Sequence, residues 1–269
     1  MEIGEIINDA LRYPTSNWTK VFILGVIFVA SFLIIPIFLA FGYLFRIIKA
    51  TFAGIDELPD FDDLGEMFVD GLKVFVVGVA YAIPLIIISA IISAIFGIHY
   101  NSAVNAGTFT GFNVFAYATA YVIYAIIGII IGLIEYMAIA NMALYEGDLA
   151  AAFKFNEVLD RIARVGWGKY IIWYIVMVVL GLIAALISGL LIVILIGIII
   201  APLIIAPFFG MFAARSLALI FASSEETPAA STEPVEPVET VVPEEPVESG
   251  ESVEPAETEE PVEPEEPKE

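Results

Sequence analysis

Between Lys169 and Arg215 the chain runs for 45 residues, Tyr170 to Ala214, without a charged side chain. As one helix that stretch is about 68 Å long at 1.5 Å per residue. A bilayer core takes roughly 20 apolar helical residues, so the run is too long for one crossing and about right for two. In lipid every backbone amide must be satisfied within its own segment, which leaves helices as the way to cross. The weakest points of the run are Ser188-Gly189 and the stretch from Gly197 to Pro202. A tight turn is expected at Ser188-Gly189, with Pro202 and Pro207 as kinks in the helix that follows.

Three earlier runs fit the same reading. Val21 to Phe45 lies between Lys20 and Arg46 with Pro36 inside it, Val74 to Ile98 follows Lys73 and holds Pro84, and Phe112 to Leu144 carries one charge, Glu135. Five spans are expected, at about 21–45, 74–98, 113–137, 168–188 and 190–215. The expected fold is an all-α membrane protein: a bundle of about five transmembrane helices over residues 1–222, two interfacial amphipathic helices and a disordered acidic tail over 223–269.

The charge separates these two parts. The tail holds 17 Glu, 9 Pro and one Lys, a net of −16 out of −21, so the body retains −5 from 15 acids and 10 bases. Repeated Glu-Pro and Pro-Val-Glu units, such as Glu233-Pro234-Val235-Glu236-Pro237, remove amide donors and repel one another, so the tail cannot build a core. It is expected to act as a solubilising extension or as a tether for a basic protein partner. A nucleic-acid partner is not expected, because phosphate binding needs clustered Lys and Arg.

Several chemistries are excluded. The chain has no Cys and one histidine, His99, which sits in His99-Tyr100-Asn101-Ser102 far in sequence from any acid. A Ser-His-Asp triad, a thiol nucleophile and a zinc centre all lack their residues. No phosphate loop or dinucleotide glycine fingerprint is present. No catalytic residue and no cofactor is assigned.

The first residues do not form a cleavable signal, since Glu2, Glu5 and Asp9 stand where bases belong. Ile3, Ile6, Ile7, Ala10 and Leu11 recur at helical spacing, which predicts a short interfacial helix over 2–12 ended by Tyr13-Pro14, with Trp18 as an interface anchor. The second interfacial helix is expected between Glu146 and Lys169, capped by Asp148, with Phe153, Leu159, Ile162 and Val165 as its stripe and Glu157 paired with Arg161. Its bases attract anionic head groups, but its acids offset much of that.

With five crossings, one side receives Arg46, Lys49, Lys73, Lys154, Arg161, Arg164, Lys169 and Arg215, and the other only Arg12 and Lys20. Basic residues stay inside, so the expected protein is a multi-pass component of the cell membrane with its N-terminus outside and its C-terminal tail in the cytoplasm. Gly128 and Gly132 form a GxxxG pair, expected either to pack within the bundle or to support an oligomer.

Two places could carry function. In the connection from Arg46 to Lys73, Asp60 is expected to cap a helix whose face is Phe61, Leu64, Phe68 and Leu72, and seven acids lie between Asp56 and Asp70. Asp60, Asp62 and Asp63 are weak candidate ligands for a divalent cation, although Leu64 and Gly71 break an EF-hand match. Glu135 is either at the inner interface or an intramembrane proton or cation site, with Asn141 as its expected partner.

Gly42-Tyr43-Leu44-Phe45-Arg46, then Leu58-Pro59-Asp60-Phe61-Asp62-Asp63, then Asp70-Gly71-Leu72-Lys73 and Pro84 resemble a family of prokaryotic membrane proteins, frequent in methanogenic archaea, known as domain of unknown function 4013. The likeness covers residues 5 to 220 and is most specific from Gly42 to Lys73. Members often have Trp where this chain has Phe61 and another aromatic where it has Leu64. The resemblance implies a multi-pass membrane protein and brings no activity or site residue with it. The sequence thus leaves a non-enzymatic scaffold or envelope component as the first reading. A small transporter or channel subunit is the second, and a metal-dependent lipid-modifying enzyme the third.

Overall fold

The structure is a computed structural model that describes residues 1–105, 111–193 and 195–225, with side chains in 95–114 and at 116 and 117 left aside. The expected acidic tail beyond residue 225, the His99 side chain and residues 106–110 of the expected 99–111 connection lie outside the described residues, while α4 continues through 99–105. Within them the chain is helical, without strands: α1 Ile3–Thr15, α2 Trp18–Ala30, α3 Ile35–Phe52, α4 Leu64–Asn105, α5 Gly111–Leu144, α6 Phe155–Val165, α7 Trp167–Val193, α8 Gly197–Ile200 and α9 Ala206–Ala222. Five helical stretches are long and apolar enough to cross a membrane: Ile35–Phe52, Leu64–Ala94, Ala118–Leu144, Trp167–Val193 and Gly197–Ala222.

The continuous first span expected over 21–45 is instead two helices. A 3-10 turn at Ser31–Leu33 follows α2, Ile34 adopts a left-handed φ of 70°, and Pro36 sits at the start of α3. Proline is favoured in a first helical turn, where its missing amide loses nothing, so Pro36 starts a helix and does not kink one. The two helices double back on each other. Lys20, at the start of α2, and Arg46, near the end of α3, both reach the same connection: Lys20 to the Leu58 carbonyl and the Asp60 carboxylate, Arg46 to the Asp60 and Asp62 carbonyls. At 1.5 Å per residue α3 is about 27 Å long, near the thickness of a bilayer core, and α2 is shorter at about 20 Å.

α1 packs on α9 and Asp9 pairs with Arg215 at 2.9 Å, so the N-terminal helix lies beside the last one. Besides the five long apolar helices, α1 and α2 form a bent pair that together is apolar enough to make a sixth. α1 meets α2 at 82°, so it lies across the entrance of the bundle. It runs past the expected stop at Tyr13-Pro14 to Thr15, since a proline in the last turn removes only its own hydrogen bond.

The second hairpin turns later than expected. α7 continues through Ser188, whose hydroxyl bonds the Ala184 carbonyl, and through Gly189, and reverses at Leu195-Ile196. Leu195 has a φ of 63°, and Gly197 is required beyond it because a Cβ there would strike the backbone of Leu191 and Ile192. Pro202 falls in a π-helical segment, Ala201–Ile205, that joins α8 to α9. Pro202 cannot donate to the helix, and such one-turn π insertions relieve that loss. The Leu203 carbonyl there packs directly on Gly25 of α2, leaving no room for a Cβ.

The best-packed crossing joins α3 to α4. Gly42 meets the Met67 carbonyl and Gly71 meets the Phe38 carbonyl, so either Cβ would collide with backbone. Around that crossing the buried set includes Ala40, Tyr43, Met67, Met137, Ala138, Tyr170, Trp173 and Phe212. Ile, Leu and Val side chains instead populate the exposed sides of α4, α5 and α7. Lipid tails are as apolar as leucine, so in a membrane small and polar-tipped residues gather inside and bulky aliphatic ones face out. For this reason Leu64 and Leu72 of the expected Phe61-Leu64-Phe68-Leu72 face are exposed, whereas Phe61 stacks on Tyr43 at 4.0 Å and Phe68 packs on Phe38.

Candidate functional site

The connection between α3 and α4 is a strap held from several sides. Tyr13 donates to the Glu57 carbonyl and Tyr43 to the Pro59 carbonyl, both at 3.0 Å, and Leu58 is buried beneath them. Lys20 pairs with Asp60 at 2.7 Å and Arg46 with Asp62 at 2.6 Å. Asp60 does not cap a helix as expected. The helix begins at Leu64 after Asp63, which has a φ of 43°, and Asp60 is drawn away to Lys20. Asp60 and Asp62 therefore face bases. Among the described residues no three of His, Cys, Asp and Glu converge on a place that could hold a metal ion.

Arg215 joins three elements. Its Nε donates to Asp9 of α1 and its guanidinium donates to Asp56 at 2.7 Å, to the Thr51 hydroxyl and to the Ile55 carbonyl. It lies 4.8 Å from the centre of the Tyr13 ring, and its side chain is 5% exposed. Burial pushes the Tyr13 hydroxyl up to about 12, against the opposing pull of Arg215 and with help from Asp56 and Asp9.

Asp70 is the second buried centre. Its carboxylate is 5% exposed and meets Lys49 at 2.6 Å and Lys73 at 3.5 Å. Gly147, in the turn that leaves α5, is held against this pair: its φ is 83°, and a Cβ there would stand 3.2 Å from the Lys73 nitrogen and 3.3 Å from the Asp70 carboxylate. The second interfacial region closes the frame. Asp148 caps a 3-10 turn over Leu149–Phe153, and α6 buries Val158, Ile162 and Val165. The expected stripe holds at Ile162 and Val165 and shifts to Val158, because Phe153 belongs to the 3-10 turn and Leu159 is exposed. Glu157 and Arg161 approach to 4.0 Å as expected, and Arg161 also reaches Glu225 at 3.1 Å. The Tyr145 hydroxyl donates to Glu157, and that bond raises its pKa above the usual tyrosine value.

Eight of the ten basic residues of the body, Lys20, Arg46, Lys49, Lys73, Lys154, Arg161, Lys169 and Arg215, make polar contacts around α1, the α3–α4 strap, α6 and the end of α9. An open cleft of about 480 Å³ lies over the strap between Lys20, Arg46, Lys49 and Glu66. Two further open grooves between helices differ in their lining. One of about 330 Å³ between α1, α7 and α9 is lined by residues such as Leu11, Leu180, Ile187 and Phe209, and one of about 310 Å³ between α3, α5 and α9 by residues such as Phe41, Leu44, Ile139 and Ala213.

Glu135 lies on α5 within the span Ala118–Leu144, half-buried, with an oxygen 3.5 Å from where a Cβ on Gly78 of α4 would stand. Its expected partner Asn141 is elsewhere, donating to the Ala151 carbonyl with its own side-chain oxygen buried and without a partner. The Gly128-Gly132 face is used inside the chain: Gly128 packs on Leu85, and the Tyr174 hydroxyl occupies the space over Gly132. An intermolecular contact through that pair would have to displace Tyr174.

Sequence reasoning missed the tyrosine and tryptophan bonds that tie the bundle, Tyr81 to Ala152, Tyr170 to Leu133 and Trp173 to Ser216. Their signal was available, since a buried Tyr or Trp takes a partner for its polar atom. The motif residues, by contrast, fall together: Gly42, Tyr43, Arg46, the strap, Asp70, Gly71 and Lys73 form one continuous structure.

No curated protein and no solved structure matches this chain. A family model, described as a protein of unknown function (DUF4013), matches residues 23–193, from α2 to the end of α7, and the chain belongs to that family.

Proposed function

We propose that this protein is a non-enzymatic scaffold of the cell membrane that holds a rigid charged face in the cytoplasm. The observation that supports it is the division of polarity. Eight of the ten bases of the body make polar contacts around the α3–α4 strap, α6 and Arg215, while two grooves between the helices are lined mostly by apolar side chains. Basic residues beside spans stay inside, which favours a cytoplasmic strap, and the acidic sequence beyond residue 225 then offers a site for recruiting a basic protein. Buried ion pairs contribute little net stability but fix geometry, as suits a surface that must be presented and not opened.

Photo-crosslinkers at the exposed acids Asp62 and Glu66, in living cells, test the reading. A discrete cytoplasmic partner is expected, and its loss on deleting 226–269 would assign recruitment to the tail. Reconstituted vesicles supply the opposing test: solute or ion flux above empty vesicles would replace the scaffold with the transporter reading.

A further inference from the structure

Asp9, Asp56, Asp60, Asp62 and Asp70 pair with bases; Glu135 does not. It stands nine residues inside the end of α5 at Leu144, about 14 Å along the helix. Gly78 of α4, which has no side chain, lies against the carboxylate. The titratable groups around it are Tyr81 from α4, Tyr136 from α5 itself and Tyr174 from α7. Tyr81 is already committed to the Ala152 carbonyl, and the Tyr174 hydroxyl lies against Gly132. The bases Lys49 and Lys73 are held by Asp70, and Arg215 by Asp9 and Asp56.

A carboxylate at that depth must be matched by a positive charge or neutralised, and the described residues supply no base. A metal ion is a poor match, since hard cations take several oxygens and no three acidic or imidazole side chains converge among the described residues. An organic ammonium is a poor match as well. The neighbouring cavity of about 180 Å³ is bounded by Tyr81, Pro84, Ile131, Ile134, Phe153 and Phe155, and Glu135 is not in its wall. We propose that Glu135 is an intramembrane proton-binding site: its carboxylate takes one proton from water at the charged face, becomes a neutral acid, and returns that proton to water at the same face. This goes beyond the scaffold reading and does not depend on it.

The experiment uses the full chain in lipid nanodiscs and two carbodiimides, hydrophobic dicyclohexylcarbodiimide and a water-soluble analogue. Only a protonated carboxyl reacts, and only the hydrophobic reagent reaches one in lipid. The expected result is a dicyclohexylcarbodiimide adduct at Glu135 by peptide mapping, falling as pH is raised, with the soluble reagent confined to surface acids such as Asp62. In infrared spectra the carbonyl band of a neutral carboxylic acid is expected in the wild type and lost in Glu135→Gln. Labelling of Glu135 by the soluble reagent alone would overturn the proposal, as would an unchanged carbonyl band in the variant. So would protection from the hydrophobic reagent by added Na⁺ at constant pH, since a metal ion would then be the counter-charge. The labelling is read on the wild type, so it does not depend on the variant folding.

Discussion

Asp70→Asn is the substitution that should most clearly separate a charge-locked face from an ordinary hydrated one. The side chain keeps its shape and loses its charge, leaving Lys49 and Lys73 without the carboxylate that they share. Removing one partner of a fully buried pair costs about 3–5 kcal/mol. Here only Asp70 is deeply buried; the lysine side chains are 17% and 33% exposed and regain some hydration, so the expected loss is about 2 kcal/mol. Lys49→Met should cost less, about 1 kcal/mol, because Asp70 keeps Lys73. The double variant should cost less than the sum of the two, as coupled neighbours do. The assay is reversible unfolding in mixed lipid–detergent micelles, followed by the fluorescence of buried Trp173. A loss below about 0.5 kcal/mol for Asp70→Asn, the range of ordinary surface substitutions, would refute the reasoning. So would Lys49→Met proving the more damaging of the two.

Gly42→Ala and Gly71→Ala should each destabilise by about 1–3 kcal/mol, the usual cost of overpacking, because each new Cβ meets backbone across the α3–α4 crossing. Gly65→Ala, with nothing near its Cβ, should be neutral or stabilising in the same unfolding assay. Tyr13 has a folded pKa raised from 10.0 to about 12, so its contribution is complete below the unfolded value and is lost as pH rises between the two. Stability measured against alkaline pH should fall through that window, and Tyr13→Phe should flatten the fall. Calcium or magnesium at millimolar concentration should leave the unfolding curve unchanged, because Asp60 and Asp62 already face Lys20 and Arg46; a heat of binding by calorimetry would argue otherwise.

The presence of a helical membrane body with five long apolar helices was legible in the uncharged lengths, since few soluble folds tolerate 45 residues without a charge. The two hairpin tips were not. Ser31 to Ile35 and Leu195-Ile196 turn without a glycine or a charge among those residues, and Phe32 and Val193 are about four-fifths exposed. Apolar tips of this kind lack the polar turn residues that mark a turn in water. Without the first tip, Lys20 reads as lying across a span from Arg46, whereas the two bases meet at the same strap. The strap was legible as a place but not as a chemistry. Its acids look like a metal site in isolation, and the bases that answer them, Lys20, Arg46 and Arg215, come from three helices far apart in sequence. The glycines of the family motif were visible as letters, whereas the requirement behind them, a carbonyl where a Cβ would be, is a property of the crossing alone.

The proposed shared side of the N-terminus and the end of α9 is the central claim, and the chain has no cysteine, so single probes read it directly. Glu2→Cys, Glu225→Cys and Phe32→Cys are treated separately with a membrane-impermeant maleimide in sealed right-side-out and inverted vesicles. Labelling at positions 2 and 225 is expected in inverted vesicles only, with position 32 silent in both because the hairpin tip lies in hydrocarbon. Position 2 labelling in right-side-out vesicles while position 225 labels in inverted ones would contradict the account and restore a single continuous first span.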